Sequence, residues 1–412
     1  MRDENDGAPV HSRRDGGDKR WPGMAGALAL PLFLLAGCGD PSQTSPEPSD
    51  AGAGKADGAT AQNFPAFELP LLTVAQNRDA VIAAPHIVPV FFQNDPDPTL
   101  AASVGDFLVR WTASPTWKQQ VSEYGVGDAT IAPAVIVTED APAITSDQEI
   151  AAWLAGQLDG SHRDTWATPD ENSIYLLVYP PSTTITDGVN TSCKSYSGYH
   201  HSLPLGDAIV AARAVIPQCS PGTHTSVISH EIVETVTDKV PGRGYSGLAP
   251  PYSLFGGGEL ADQCDSRGAV TPADVGYPIQ RTWSNAASLA HGDPCVPAQT
   301  GAPYFGAFPV LPDVITEKSG AMDAVVIVPP GQSRSIDVRL FSSGPLSGPF
   351  TVSVSKVKDL ELTLKPTTGR NGDTIQLNVK NNGTATQGTA SFSLTSKLGT
   401  TTHSFPGAVS FH

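Results

Sequence analysis

The sequence is poor in charge, and most of the charge that it has is negative. Only 16% of its 412 residues are charged, and 41 acidic side chains outnumber 25 basic ones, which gives a formal net charge of -16. Nucleic acids and anionic membrane surfaces attract basic patches, so we expect neither as a partner. Glycine (40 residues) and proline (37) are abundant instead, as is typical of loop-rich exported proteins.

The apolar run at residues 24–36 is too short to cross a bilayer, which takes about 20 residues. Basic residues precede it and Leu35-Ala36-Gly37-Cys38 ends it, which is the arrangement of an export signal. Leu-Ala-Gly-Cys matches the bacterial lipobox, so we expect residues 1–38 to be a lipoprotein signal peptide and lipidated Cys38 to anchor the chain in a membrane of the cell envelope. Gly39 is not an acidic retention signal, which favours the outer membrane or cell surface. An ordinary signal peptide with an incidental cysteine is the alternative.

Cysteine is scarce, and without Cys38 four remain: Cys193, Cys219, Cys264 and Cys295. An even number in an exported protein predicts two disulfides. Three pairings are possible, and we favour Cys193–Cys219 with Cys264–Cys295 because each pair brackets one local segment. A thiolate metal site is the alternative, although no spacing resembles C-x-x-C.

The composition changes twice along the chain. Residues 39–63 have almost no bulky apolar side chain and predict a flexible tether. From 64 to 307, apolar β-rich runs alternate with helical patterns, which predicts an α/β (α+β) domain with a mixed sheet. From 308 to 412 the helical patterns vanish and short strands alternate with turn residues, which predicts a small all-β sandwich of immunoglobulin-like type.

Within the α/β region, strands are predicted at 87–92, 134–137, 174–179 and 208–216. Pro89 in the first of these indicates an edge strand or a bulge, because proline has no N–H for the ladder. Asp97-Pro98 predicts a helix with Asp97 as its N-cap. Residues 146–149, Ser-Asp-Gln-Glu, form a capping box that opens a further helix.

The functional prediction rests on residues 229–238, Ser-His-Glu-Ile-Val-Glu-Thr-Val-Thr-Asp. On an α-helix, His230 and Glu234 lie one turn apart on one face, close enough to bind one metal ion. Glu231 projects about a hundred degrees away, where it would contact a water rather than the metal. His-Glu-x-x-His does this in zinc peptidases, with glutamate as general base, and Glu234 here replaces the second histidine. An amphipathic helix with a solvated polar face is the alternative.

Glu259 and Asp262 form a second acidic cluster that supplies further candidate ligands. We expect a zinc site of His230, Glu234 and Glu259, with Asp262 as the substitute for Glu259, because catalytic zinc takes three protein ligands and leaves one position open. Manganese and iron are alternatives, since one histidine with two carboxylates is less selective for zinc. A loop held by its own hydrogen bonds, or a calcium site without chemistry, is the structural alternative for this cluster.

Other polar residues are candidates for supporting roles. We expect His200 or His201 to supply a ligand or to polarise a tetrahedral oxyanion, and Tyr199 to do the latter. Asp238 is placed to hydrogen-bond His230 or the following loop. His224 precedes the motif and is interpreted as a surface residue.

The motif at 229–238 resembles one found in exported bacterial proteins, and it is distantly similar to the His-Glu-Leu-Ala-Glu-x-x-Thr-Asn of plant phosphate-induced, EXORDIUM-like cell-wall proteins. The resemblance implies a zincin-like metal site. It departs from the bacterial pattern at Lys239, where proline is usual after Thr-Asp. The resemblance covers roughly residues 85 to 297. The segments that match follow one another in the same order, and they are 122–126, 174–175, 193 with 198–200, 215–217 before Cys219, 229–238, 259–262 with Cys264, and 283–285 before Cys295.

Two classes of function follow. The first is an exported, lipid-anchored, metal-dependent hydrolase, most simply a zinc peptidase that acts on peptides or proteins as a monomer. The second is a non-catalytic protein of the cell envelope that binds a polymer or partner, in which any metal is structural. A cleft that passes His230 would favour the first class and a closed, packed site the second. No G-x-S-x-G motif indicates a serine hydrolase.

Overall fold

The computed structural model describes residues 63–75, 80–206, 209–222, 224–255, 258–299, 303–317, 320–384 and 387–411. The predicted signal peptide (1–38), lipidated Cys38 and nearly all of the predicted tether (39–63) lie outside the described residues. Among the described helices, none has the length and apolar character needed to cross a membrane.

The described residues before position 300 combine helices with short strands. The helices are α1 Leu100–Thr112, α2 Pro115–Val121, α3 Asp147–Gln157, α4 His224–Thr237 and α5 Asn285–Leu289. The strands are β1 Val74–Ala75, β2 His86–Phe92, β3 Thr130–Ile131, β4 Val135–Val137, β5 Ile144–Ser146, β6 Ser173–Tyr179, β7 Thr184–Asp187, β8 Asn190–Thr191, β9 Tyr199–Leu205, β10 Ile209–Pro217, β11 Ser246–Leu248, β12 Ala269–Val270, β13 Ile279–Gln280, β14 Thr282–Trp283 and β15 Cys295–Val296.

A six-stranded mixed sheet forms the centre of this part, as predicted. Its order is β3-β2-β6-β10-β9, with β4 also paired to β2. All its pairings are parallel except that of β9, which runs antiparallel to β10 at the edge. Alternate residues of β6 enter two separate cores because side chains of a strand point to opposite faces. Ile174 shares its core with α1 and α4, whereas Tyr175 shares the other core with α3.

Two local predictions differ from the structure. Helix α1 begins at Leu100 with Thr99 as N-cap, because the Asp97 carboxylate accepts hydrogen bonds from the Thr99 N–H and hydroxyl instead of capping the helix. Strand β2 is not an edge strand. Its outer ladder is broken, however: β3 pairs with residues 86–87 and β4 with residues 90–92, so Pro89 lies in the gap between them.

The residues after position 303 form two antiparallel-rich sheets around one core, as predicted. Their strands are β16 Phe305–Pro309, β17 Asp313–Thr316, β18 Met322–Ile327, β19 Ser333–Ser342, β20 Phe350–Val354, β21 Leu360–Lys365, β22 Thr368–Gly369, β23 Thr374–Asn381, β24 Gly388–Leu398 and β25 Thr401–Phe411. One sheet has the order β16-β19-β23-β21 and the other β17-β18-β25-β24-β20-β22. Side chains from both sheets, such as Val338 and Val409, fill the core between them.

The sandwich and the α/β part also share buried surface. Phe341 and Phe405 of the sandwich belong to the same core as Phe255 and Trp283 of the α/β part. Polar contacts cross the same junction, for example from the Ser253 hydroxyl to the Asp323 carboxylate at 2.7 Å. Residues 59–412 accordingly form one compact unit.

A buried group of ionisable residues around two arginines lies at this junction, and we call Arg267, Arg281, Asp293 and His403 the guanidinium cluster. Arg267 donates to Nδ1 of His403 and to the carbonyl of Ser404, each at 2.7 Å. Arg281, which is fully buried, pairs with Asp293 and donates to backbone carbonyls, including that of Pro297 at 3.0 Å. Both guanidinium groups therefore reach acceptors that the protein itself supplies, whereas Nε of Arg267 and Nη1 of Arg281 have no hydrogen-bond partner among the described residues.

Both predicted disulfides are present. Cys193 bonds to Cys219 and Cys264 bonds to Cys295, at sequence separations of 26 and 31. Such bonds form and persist in oxidising surroundings, which places the folded protein outside a reducing cytosol.

Candidate metal centre

Helix α4 positions the motif residues, and the structure buries more of the helix than the sequence pattern predicted. Ile232 and Val236 pack into the core, as expected of the apolar back. The polar front is covered as well, so that Glu231 and Glu234 are each only 4% exposed. Strand β9 lies along this front, and the loop that carries Asp262 closes over it.

Three side chains converge at the half-open end of this front, and we call His230, Glu234 and Asp262 the outer triad. Nε2 of His230 lies 3.2 Å from Oε2 of Glu234 and 3.4 Å from Oδ1 of Asp262. The backbone N–H of Asp262 donates to Oε1 of Glu234 at 3.0 Å, which fixes the loop against the helix. One atom of each side chain lies within 4.8 Å of the others, so the set can hold a metal ion.

Deeper in the same cluster lie His200, Glu234 and Glu259, which we call the inner triad. Nε2 of His200 lies 3.2 Å from Oε2 of Glu259, and Nδ1 lies 3.9 Å from Oε2 of Glu234. These three residues also offer one atom each within 4.8 Å of one another. Glu259, our first choice as third ligand beside His230, is therefore placed with His200, and its substitute Asp262 stands beside His230.

Glu231 lies between the two triads and next to open space. Its Oε2 is 3.6 Å from Nδ1 of His200. Gly198 packs so closely on this carboxylate that a Cβ at that position would lie 2.6 Å from Oε1 of Glu231. A larger residue at position 198 would push Glu231 away, so the glycine is required for its present orientation.

Of the other candidates on β9, the structure brings His200 to the site and turns Tyr199 and His201 away. Successive residues of a strand face opposite sides, and Tyr199 packs in the core on the far face of the sheet, against the rings of Tyr196 and His201. Burial raises the pKa of the Tyr199 phenol and lowers that of His201. Tyr199 is thus not positioned to polarise an oxyanion at the triads.

Asp238, just beyond the end of α4, holds the following loop and does not contact His230. Its carboxylate accepts the backbone N–H groups of Gly242, Arg243 and Gly244 at 2.8, 3.1 and 2.6 Å. Its backbone carbonyl lies 3.1 Å from Nε2 of His200. His224, the first residue of α4, is half-buried and belongs to neither triad.

The electrostatics of the cluster show an excess of negative charge. Burial raises the pKa of Glu234 and, to about 9, that of Glu259. Burial alone would lower the pKa of the imidazoles, but the charge of Glu234 raises that of His230 well above its usual value, and the carboxylates around His200 raise its pKa to about 9. The hydrogen bond to His230 lowers the pKa of Asp262.

A cleft of about 450 Å³ opens onto the outer triad. Its walls come from helix α4, from the loop of Asp262 and from the segment that follows Cys193 in the disulfide-closed loop, and they include Tyr196, Gly198, Val227, His230, Glu231, Asp262 and Gln280. Its lining is mainly polar, which suits hydrogen-bonding groups of a ligand. Neither Glu259 nor His200 lines it, so the outer triad is the accessible one and the inner triad lies behind it.

Comparisons with known proteins add no functional identification. No family model and no curated protein matches the chain. Domains 4 and 5 of the S-layer protein SbsC match at 22% identity over 25% of this chain and 53% of theirs, with a TM-score of 0.16. The titin M3 domain matches at 14% identity over 27% of this chain and 99% of its own, with a TM-score of 0.17.

The Vibrio cholerae VesB protease matches at 10% identity over 41% of this chain and 42% of its own, with a TM-score of 0.19. This chain thus spans about half of the S-layer fragment that it matches. Likenesses of this degree carry no argument about function.

Sequence reasoning missed the residues that shape the site from outside the motif. Gln280 on β13 and Val227 on α4 line the cleft, and Gly198 sets the position of Glu231. Gly198 lies two residues before His200 in the segment that resembles the exported bacterial proteins. That proximity in the sequence could have indicated a role for Gly198 at the site. Nothing in the chain's local pattern marked Gln280, which approaches through the tertiary fold.

Proposed function

We propose that this protein is an exported, lipid-anchored, metal-dependent hydrolase that cleaves peptide bonds in a zincin-like site. The observation that carries the proposal is the polar cleft that passes His230, Glu231 and Asp262. A structural metal site would be closed by protein ligands, whereas this one borders a space in which a substrate segment can lie. The two disulfides support export, and the lipobox at Cys38 supports the anchor.

The outer triad supplies a histidine and two carboxylates, which is a donor set that binds zinc and also accepts manganese or iron. A divalent ion held there supplies Lewis acidity and makes a water acidic enough to deprotonate near neutral pH. Burial raises the pKa of Glu234, and the charge of Glu234 raises that of His230 against the effect of burial; a bound cation would stabilise the ionised carboxylate.

The chain's own residues then have separable roles. Glu231 accepts a proton from the attacking water as the new C–O bond forms at the substrate carbonyl carbon. It returns that proton to the amine nitrogen as the C–N bond breaks. The cleft walls hold the peptide, and Gly198 keeps Glu231 directed towards it. His200 lies behind Glu231, with Nδ1 at 3.6 Å from its Oε2.

The test is a comparison of the wild-type protein with Glu231→Gln and His230→Ala. We expect wild type to cleave members of a mixed peptide library, identified by mass spectrometry, and to carry zinc when purified without chelator. Glu231→Gln should retain the metal and lose about 10²–10⁴-fold in rate, as expected for a general base. His230→Ala should lose both metal and activity.

Retention of metal by wild type without cleavage of any library member would overturn the peptidase proposal. The protein would then be a binding protein of the cell envelope with a structural ion, which is the second class of function. Equal activity in wild type and Glu231→Gln would overturn the role of Glu231.

A further inference from the structure

We propose that the inner triad binds a second divalent cation, so that the protein holds a dinuclear centre in which Glu234 bridges the two ions. The inference rests on the proposed function, because it takes the outer triad to hold the first ion. Its ligands are His200, Glu234 and Glu259, and only Glu234 is common to both triads.

The geometry of Glu234 supports a bridging role. Its Oε1 accepts the N–H of Asp262 at 3.0 Å, which fixes the plane of the carboxylate. Its Oε2 then lies between two imidazoles, 3.2 Å from Nε2 of His230 and 3.9 Å from Nδ1 of His200. A carboxylate so placed can serve an ion on either side, at the separation of about 3.5–4 Å that two-metal hydrolytic sites use.

His200 is placed like a metal-binding histidine whose second ring nitrogen contacts a backbone carbonyl. Its side chain is only 5% exposed, and Nε2 lies 3.1 Å from the carbonyl of Asp238. Histidines that bind metals commonly donate their other ring N–H to a backbone carbonyl, which fixes the tautomer and the ring orientation. With Nε2 committed in this way, the lone pair of Nδ1 faces Oε2 of Glu231 at 3.6 Å and Oε2 of Glu234 at 3.9 Å.

Among the described residues, the carboxylate of Glu259 has no ion-pair partner other than His200. Its side chain is 12% exposed, and its Oε2 is shielded from solvent without a hydrogen-bond partner among the described residues. The closest charged group is the imidazole of His200. An ionised carboxylate is costly to bury unless it is paired or coordinates a metal.

The charge of the whole cluster suits two divalent ions. Glu231, Glu234, Glu259 and Asp262 carry four negative charges when ionised, and the first two of these side chains are buried. Two divalent ions balance that charge with both histidines neutral, as ligands must be. The competing arrangement is one ion with His200 as an imidazolium, which leaves one negative charge uncompensated.

Metal stoichiometry separates these arrangements without reference to catalysis. Chelator-treated protein is dialysed against excess Mn²⁺, freed of unbound ion and analysed for metal per chain by mass spectrometry. We expect two equivalents in wild type and one in Glu259→Gln and in His200→Gln. Electron paramagnetic resonance should show a coupled manganese pair in wild type and an isolated ion in both variants. Asp265→Asn is the matched control, because Asp265 lines the cleft but belongs to neither triad, and it should keep two equivalents.

One equivalent in wild type, unchanged in Glu259→Gln, would overturn the dinuclear centre and assign His200 as the imidazolium. If that mononuclear protein cleaves peptides, the proposed function stands on its own. Absence of bound metal in wild type would overturn both proposals. Should either variant fail to fold, as judged by near-ultraviolet circular dichroism, the stoichiometry and the resonance spectrum of wild type decide the question alone.

Discussion

The protein buries two groups of ionisable residues that differ in the sign of their excess charge. The guanidinium cluster holds donors, and its arginines reach backbone carbonyls, Asp293 and His403. The cluster of the two triads holds acceptors, and the N–H of Asp262 is the backbone donor that reaches Glu234. A buried carboxylate can also be satisfied by backbone N–H groups, as Asp238 is by three of them. The described ion-pair partners of the triad carboxylates are two imidazoles, so these carboxylates call for a cation from outside.

Substitution of Arg281 by Met tests the claim that the guanidinium cluster stabilises the fold. The change leaves Asp293 buried without its main counter-charge, which should lower the free energy of unfolding by about 3–5 kcal/mol. Urea denaturation at pH 7 measures the loss. Arg334→Met is the control, because the pair of Arg334 with Asp313 is partly exposed and should be worth about 0–1 kcal/mol. Similar losses in the two variants would contradict the assignment.

Addition of zinc tests the claim that the triads bind a cation and are stabilised by it. An ion that binds only the folded state raises the free energy of unfolding by about 2.7 kcal/mol when its free concentration is 100 times Kd. We expect this increase in wild type and in Arg281→Met, whose altered cluster is separate, and its loss in His230→Ala. Chemical denaturation with and without zinc measures it. If neither zinc nor manganese shifted the denaturation midpoint of wild type, the claim that the triads bind a cation would be wrong.

Replacement of Glu259 by Gln in metal-free protein tests the burial of excess negative charge. The folded pKa of Glu259 is about 9 because of burial, above the ordinary value of 4.5 in the unfolded chain. Between these values the folded state binds more protons, so its contribution to wild-type stability falls as pH rises. The variant should be more stable than wild type at pH 7 by about 2 kcal/mol. Denaturation at pH 5 and 7 checks the sign, and Glu361→Gln on exposed β21 should leave the pH dependence unchanged.

The guanidinium cluster should show the opposite pH dependence, and His403 is the residue that reports it. Burial, and then the charge of Arg267, lowers the pKa of His403 to about 3, below the ordinary 6.5 of the unfolded chain. Between these values the unfolded state binds more protons, so stability falls as pH is lowered, by about 1.4 kcal/mol per pH unit. His403→Gln should lose this slope between pH 6.5 and 5.5. An identical slope in wild type and variant would mean that His403 is protonated in the folded protein.

Local patterns predicted the elements of the fold well where the determinants were themselves local. The capping box of Ser146 and Glu149 opens α3 as expected, and both disulfides close the segments that their cysteines bracket. The start of α1 was misplaced because Asp97 and Thr99 compete for the cap, and the competition depends on hydrogen bonds two residues apart. The place of Pro89 depends on where β3 ends and β4 begins, which is not visible in β2 itself.

The sequence predicted the site residues that lie on helix α4, but not how residues from other elements are arranged around them. The spacing of His230 and Glu234 follows from helix geometry, and the structure brings the two together as expected. The choice between Glu259 and Asp262 depends on how their loop folds over α4, and the two residues are divided between the triads. The alternation of β9 sends His200 and Tyr199 to opposite faces. The sequence shows this alternation, but it does not show which face of β9 packs against α4.

The core that joins the two parts of the chain limits how they can be separated from one another. Phe341 and Phe405 are covered by residues of the α/β part, and Phe255 and Trp283 by residues of the sandwich. A recombination event that moved either part alone would deliver a domain with a bared apolar face, and exposed faces of that kind promote aggregation. Either part produced alone is therefore expected to need a substitute for the cover that the other part supplies.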